Sequence, residues 1–277
     1  MNLKKLARKK GALTGLSFIV FLLFMGIFAP FLAAQNPIKQ NLSDRFQPPS
    51  FHHWFGTDNL GRDIYSRIIY GSRISLTVGF SAVGLAASWG ILIGLIAGFY
   101  GGWIDLTLMG IMEILMAFPS ILLAIAIVSI LGPSLPNAIL AIGIVYIPLY
   151  ARLTRAQVLS VKELEYVQAA RAEGCSNSRI LLVHILPNCS SPLIVQLSLG
   201  IGNAILDFAG LSFLGLGAQP PTPDWGSMLS STVHFLEIAP WAVIFPGILI
   251  TLTVFSFNLL GDGIRDILDP KMIERKT

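Results

Sequence analysis

Long stretches of this sequence run for 24 residues or more without a charged side chain, among them 11–35, 74–104, 114–151 and 238–261. No soluble fold hides that much uninterrupted apolar chain, whereas about 20 helical residues cross the ~30 Å hydrocarbon core of a bilayer. Composition agrees, with 54% hydrophobic and 12% charged residues against about 25% charged in soluble domains. A soluble enzyme, a disordered tail and a disulfide framework are excluded, the last because there are two cysteines. The net charge of +4 comes from dispersed basic residues, which leaves no footprint for nucleic acid.

The spans follow from the charges. Residues 11–35 come after Lys4, Lys5, Arg8, Lys9 and Lys10 and are too long for a signal-peptide core, so a retained first anchor is expected. Residues 74–104 give a second span. Residues 114–151 are too long for one, and Gly132-Pro133-Ser134-Leu135-Pro136-Asn137 is a turn cluster that divides them into two. A fifth span covers 190–217 with Asp207 inside it, and a sixth lies between Glu237 and Asp262. The expected fold is therefore all-α, with six transmembrane helices.

Cytoplasmic loops retain lysine and arginine. With the N-terminus inside, fourteen basic residues fall on the inner face and five on the outer. This divides the chain into a cytoplasmic N-terminus (1–10), a first span (11–35), an outer loop (36–73), a membrane core (74–261) and a cytoplasmic C-terminus (262–277). Within the core, residues 152–188 form a long inner loop, and 218–237 face outward. Trp54, Phe55, Pro220, Pro221 and Trp225 supply aromatic and proline-rich docking material on the outer side.

Gly90, Gly94, Gly98 and Gly102 recur every four residues, a row that lets another backbone approach closely. The partner is a helix of the same chain or one of another subunit. In the inner loop, residues 160–172 read as a helix ended by Gly174, and Ser176 or Asn177 caps a second helix that stops at Pro187. Such a helix–turn–helix is either a docking element or an amphipathic loop resting on headgroups.

Gln168-Ala169-Ala170, Gly174 and Leu186-Pro187 lie at the spacing of the E-A-A-x3-G-x9-I-x-L-P loop, and the chain resembles the membrane subunits of binding-protein-dependent ABC importers. Gln168 stands in place of the acidic residue and His184 in place of the isoleucine, with Glu165 one turn earlier. Phe55–Arg67, Gly71–Leu76, Leu211–Gly217, Pro220–Gly226, Asn258–Asp262, Arg265-Asp266 and Leu268-Asp269-Pro270 narrow the resemblance to the dipeptide, oligopeptide and nickel permease family, second subunit type. It covers most of the chain from Phe55 onward.

The resemblance implies a type I ABC importer permease fold in which this inner loop couples to ATPase subunits. Glu165, Gln168, Ala169, Ala170, Gly174, His184, Leu186 and Pro187 are then the expected contacts. It also implies a homologous second permease subunit, two cytoplasmic ATPase subunits, an external substrate-binding protein and a multi-pass location in the bacterial inner membrane. ATP and magnesium would sit on the partners. No G-x4-G-K-S/T loop occurs here and no glycine precedes a lysine, so no cofactor is expected on this chain. The cargo is di- or oligopeptide, with nickel or another small solute as the alternative.

An intramembrane enzyme and a passive channel are the rival classes. The enzyme needs a nucleophile with a base, or clustered metal ligands, at membrane depth. The histidines are His52, His53, His184 and His234, none within a span, and His52-His53 reads as a solvated pair rather than a metal site. A channel has no use for the inner helix–turn–helix. Two carboxylates fall within spans. Glu113 reads as a structural ion pair, and Asp207 with Asn203 on the same helical face reads either as a lining of the translocation path or as a group pinned by the partner permease.

Overall fold

The computed structural model describes residues 9–268. Within them the regular structure is helical apart from one isolated bridge, between Thr57 and Asp63. The principal helices are α1 (Lys10–Ile27), α2 (Ile64–Tyr100), α3 (Gly102–Met116), α4 (Ser120–Leu131), α5 (Leu135–Val161), α6 (Glu165–Ala172), α7 (Ser190–Phe213), α8 (Trp225–Thr232) and α9 (Trp241–Leu268). Helices α1, α2, α5, α7 and α9 are each long and apolar enough to cross a membrane, and α3 with α4 forms a bent apolar pair, a sixth, broken span or a re-entrant loop. The basic residues 4, 5 and 8 and most of the C-terminal segment, including Asp269-Pro270, lie outside the described residues.

Several helix ends differ from the positions that charges mark in the sequence. Helix α2 starts at Ile64, so the last ten residues of the segment 36–73 are already helical. Its first turn is capped by Asp63, whose carboxylate accepts from the Ser66 N–H at 2.8 Å and from Ser66 Oγ at 2.6 Å. Arg67 does not end the helix, because its guanidinium donates to the Pro37 carbonyl at 3.1 Å and lies 3.7 Å from Asp58. Helix α5 likewise continues ten residues beyond Ala151. Charge marks the edge of hydrocarbon, and a helix can run on into water.

The third crossing begins at Gly102 rather than Ile114 and bends by 91° between Met116 and Ser120. Pro119 lacks an N–H and drives Phe118 out of the helical region, so the break is local and chemical in origin. Asp105 enters this crossing as a bidentate ion pair with Arg155 of α5, at 2.5 and 2.6 Å.

The central contact is α2 on α5. A Cβ added at Gly90 would stand 2.5 Å from Tyr150 Cβ, one at Gly94 2.6 Å from Thr154 Cβ, and one at Gly98 2.8 Å from Val158 Cβ. The glycine row therefore packs within the chain. Gly102 is not part of it: with Gly101 it has positive φ and turns the chain from α2 into α3, where an added Cβ meets nothing within 4 Å. Tyr150 is fully buried beside this contact and donates to the Gln196 carbonyl of α7 at 3.3 Å. Helix α9 closes the bundle against α1 and α7, where Gly202 abuts Phe257 and Val254.

The outer connection is folded onto the bundle. Asp58 holds Arg62 at 2.6 Å, and His53 Nδ1 lies 3.0 Å from Asp63. His53 is thus buried against a carboxylate rather than solvated with His52. Trp225 is buried too, donating to the Ile68 carbonyl at 3.1 Å, and Phe55 stacks on Phe245 at 4.1 Å. Trp54, Pro220 and Pro221 are what remains exposed of the expected outer docking set.

Because backbone atoms of α5 fill the space beside the glycine row, Gly94→Leu is expected to lower the chain's stability by about 2 kcal/mol or more. The control is Gly84→Leu on the same helix, where an added Cβ meets nothing. A thermal midpoint that falls for the first and holds for the second is the expected result.

Candidate functional site

Two regions carry chemistry that packing alone does not explain: the helical hairpin at the α5–α7 end, and the carboxylates within the bundle.

Helix α5 ends at Val161, and after three intervening residues α6 begins at Glu165. The Gln168 amide donates to the Lys162 carbonyl at 3.0 Å, and the Lys162 ammonium to the Gly98 carbonyl at 3.1 Å. Helix α6 ends in a Schellman motif: Cys175 N–H donates to the Ala170 carbonyl and Gly174 N–H to that of Arg171, both at 3.1 Å. Gly174 supplies the left-handed residue at φ +80°. Ser176 then caps the following turn, accepting from the Arg179 N–H.

The second arm does not stop at Pro187. Residues Asn177–Arg179 lead into a π-helical turn, Ile180–Ile185, then a 3-10 turn, Leu186–Cys189, and directly into α7. The wide turn solves the proline problem. Leu186 N–H reaches back to the Leu181 carbonyl, and the His184 carbonyl accepts from the Asn188 amide at 2.7 Å and the Tyr166 hydroxyl at 3.5 Å. A helix passing through a proline thus keeps its polar backbone occupied.

Inside the hairpin, Val167, Ile180, Ile185 and Cys189 form one apolar cluster with Val158 and Val161 of α5, Leu193 of α7, and Leu95 and Phe99 of α2. Outside it, Glu165, Gln168, Ala169, Gly174 and Pro187 are exposed, while His184 and Leu186 are half-buried. Ala170 is not on the outer surface; it is 6% exposed and packs inward. Sequence reasoning missed the apolar part of the outer face: Leu164, Tyr166, Leu182 and Val183 are all exposed. Helical phase held the signal, since Val167 and Ala170 at i, i+3 point inward and set Tyr166 and Ala169 outward.

Among the described residues Glu113 has no ion-pair partner. The pair at this place is Asp105–Arg155, and Glu113 instead faces an open cleft of about 680 Å³ with Arg152. Asp207 accepts a hydrogen bond from the Tyr146 hydroxyl of α5 at 2.7 Å and lines a second cleft, of about 470 Å³. Asn203, one turn earlier on α7, is exposed.

Five or six apolar helices long enough to cross a membrane, with a packed helical hairpin fixed to the ends of three of them, define a multi-pass membrane protein. The chain belongs to the family of binding-protein-dependent transport system inner membrane components, whose model matches residues 90–274. Residues 2–49 match the N-terminal transmembrane domain of oligopeptide transport permease C. It is thus a multi-pass inner-membrane permease subunit. The dipeptide transport system permease protein DppC of Alkalihalophilus pseudofirmus is 55% identical over 97% of this chain and 88% of its own length. The di/tripeptide transport system permease protein DppC of Pseudomonas aeruginosa is 48% identical, over 96% and 90%. The glutathione transport system permease protein GsiD of Escherichia coli is 47% identical, over 97% and 89%. In fold, the chain is similar to the MetNI methionine ABC transporter in inward-facing conformations, with a TM-score of 0.59 at 18% identity over 73% of this chain and 96% of the other.

The two thiols report on the hairpin's packing. Cys175 is partly exposed in the turn and Cys189 is fully buried beneath it. In the solubilised chain a maleimide should label Cys175 at least about tenfold faster than Cys189, and denaturant should abolish the difference. Equal labelling of the native chain would contradict the packed hairpin.

Proposed function

We propose that this chain is one of two non-identical permease subunits of an ATP-driven importer of di- and oligopeptides. The carrying observation is similarity along nearly the whole chain to proteins named as dipeptide permeases, at 47–55% identity. The remaining parts are a homologous second permease subunit, two cytoplasmic ATPase subunits that bind ATP and magnesium, and an external binding protein that delivers the peptide.

The hairpin is the contact with the ATPase. Its outer face joins small Ala169 and exposed Gly174 to Leu164, Tyr166, Leu182 and Val183, with Glu165 and Gln168 as the polar contacts. Its inner face grips α2, α5 and α7, so movement of the ATPase surface carries those helices with it and alternates access across the membrane. Both termini lie in the cytoplasm with the hairpin. Of the five basic residues assigned outside, Arg62 and Arg67 are spent on Asp58, which strengthens the asymmetry of free positive charge.

Two substitutions separate docking from folding. Ala169→Trp places bulk on the outer face, so the ATPase subunits should no longer co-purify and dipeptide uptake should fall at least about tenfold, with the subunit still in the membrane. Ala170→Trp forces bulk into the hairpin's own core and should expose Cys189 to maleimide. Normal uptake by Ala169→Trp would refute the docking face, and absence of dipeptide uptake by the unsubstituted complex would refute the peptide reading.

A further inference from the structure

A carboxylate at membrane depth is expensive unless it is paired or faces water. Asp207 sits on α7 seventeen residues after Ser190, about 26 Å along the helix at 1.5 Å per residue. Its Oδ2 accepts from Tyr146, while Oδ1 makes no hydrogen bond and neither oxygen has a cation within ion-pair distance among the described residues. A tyrosine hydroxyl orients a carboxylate without neutralising it. Its counter-charge is therefore not among the described residues of this chain.

What Asp207 points into is the cleft of about 470 Å³ walled by Ile121, Phe213, Leu229 and Ile250. That volume lies in the range of small-molecule sites. A second observation lies beside the cleft. The break at Ala117-Phe118-Pro119 leaves non-helical backbone at membrane depth two residues from Ile121, and such backbone is tolerated where protein buries it or a water-filled cavity receives it. Phe118 is 56% exposed, so the break is not buried within this chain. Exposed Asn203, one turn from Asp207, extends the polar stripe along α7.

We propose that Asp207, oriented by Tyr146, recognises the α-ammonium of the peptide as it crosses, which rests on the peptide-importer reading above. The chemistry of the walls fits that cargo. Peptide side chains vary, so a path for them needs apolar walls that discriminate little. The ammonium is what the cargo molecules share, and a single fixed carboxylate suits a single fixed cation.

Two measurements on the full importer reconstituted in vesicles test this. Asp207→Asn should lower ATP-driven dipeptide uptake at least about tenfold with assembly and binding-protein-stimulated ATP hydrolysis preserved, and Asp207→Glu should restore about a third or more. The second needs no peptide: Asn203→Cys, in a chain carrying Cys175→Ser and Cys189→Ser, is reacted with cationic and with anionic thiol reagents. Asp207→Asn should reduce the cationic-over-anionic rate ratio by about fivefold or more, since the carboxylate alone attracts the cation. Unchanged uptake by Asp207→Asn, or a rate ratio indifferent to it, overturns the inference, and so does loss of the partner permease on that substitution, which would assign the carboxylate to the subunit interface. If the unsubstituted importer carries no dipeptide, the peptide reading fails by itself and the rate ratio still decides whether Asp207 is a cation site.

Discussion

The approach of α2 to α5 along Gly90, Gly94 and Gly98 is the contact on which the rest of the bundle depends. In a bilayer the lipid is as apolar as the side chains, so helices associate through close van der Waals packing rather than by escape from water. Three missing side chains bring the two backbones together, and the consequences follow in order along α5. Tyr150 fills the space beside Gly90 and reaches α7, Arg155 meets Asp105 of α3, and Val158 seats the hairpin cluster beside Gly98. A separation of α2 from α5 by one methyl group would disturb all three.

Much of this organisation was legible in the sequence because the membrane imposes simple rules. Long uncharged stretches gave the crossings, the turn at Gly132–Asn137 separated α4 from α5, and Gly174 ended α6. What was not legible was where helices stop when charges are paired. Arg73 and Arg152 mark boundaries in the sequence, yet each sits inside a helix, and the neighbouring Arg67 and Arg155 are met there by a carbonyl and a carboxylate. Pro187 misled for a related reason. A proline ends a helix only when the carbonyls it strands have no other partner, and the Asn188 and Tyr166 side chains supply one.

The hairpin and the outer connection show the same limit at the level of sites. Ala169 and Ala170 are identical in composition and adjacent, but one faces outward and the other is part of the hairpin's core. Trp225 and His53 carry the chemistry of exposed recognition residues and are instead spent on the Ile68 carbonyl and the Asp63 carboxylate. Residue type proposes a role. Which atoms are already occupied decides it.

The occupied atoms also divide the bundle mechanically. The hairpin cluster joins α2, α5 and α7 into one packed body, and the helical path runs from Asn177 through the π and 3-10 turns directly into α7, carrying Asp207 with it. Tyr146 lies on α5, so the Tyr146–Asp207 bond is internal to that body and survives its displacement. The α3–α4 segment joins α2 through the positive-φ turn at Gly101-Gly102 and is broken at Pro119, but the Asp105–Arg155 pair and buried Ala124 and Val128 fasten it to the same bundle. Packed elements transmit displacement and turns absorb it. A displacement of the hairpin is therefore passed to Asp207 and Tyr146 together, which leaves the orientation of the carboxylate fixed.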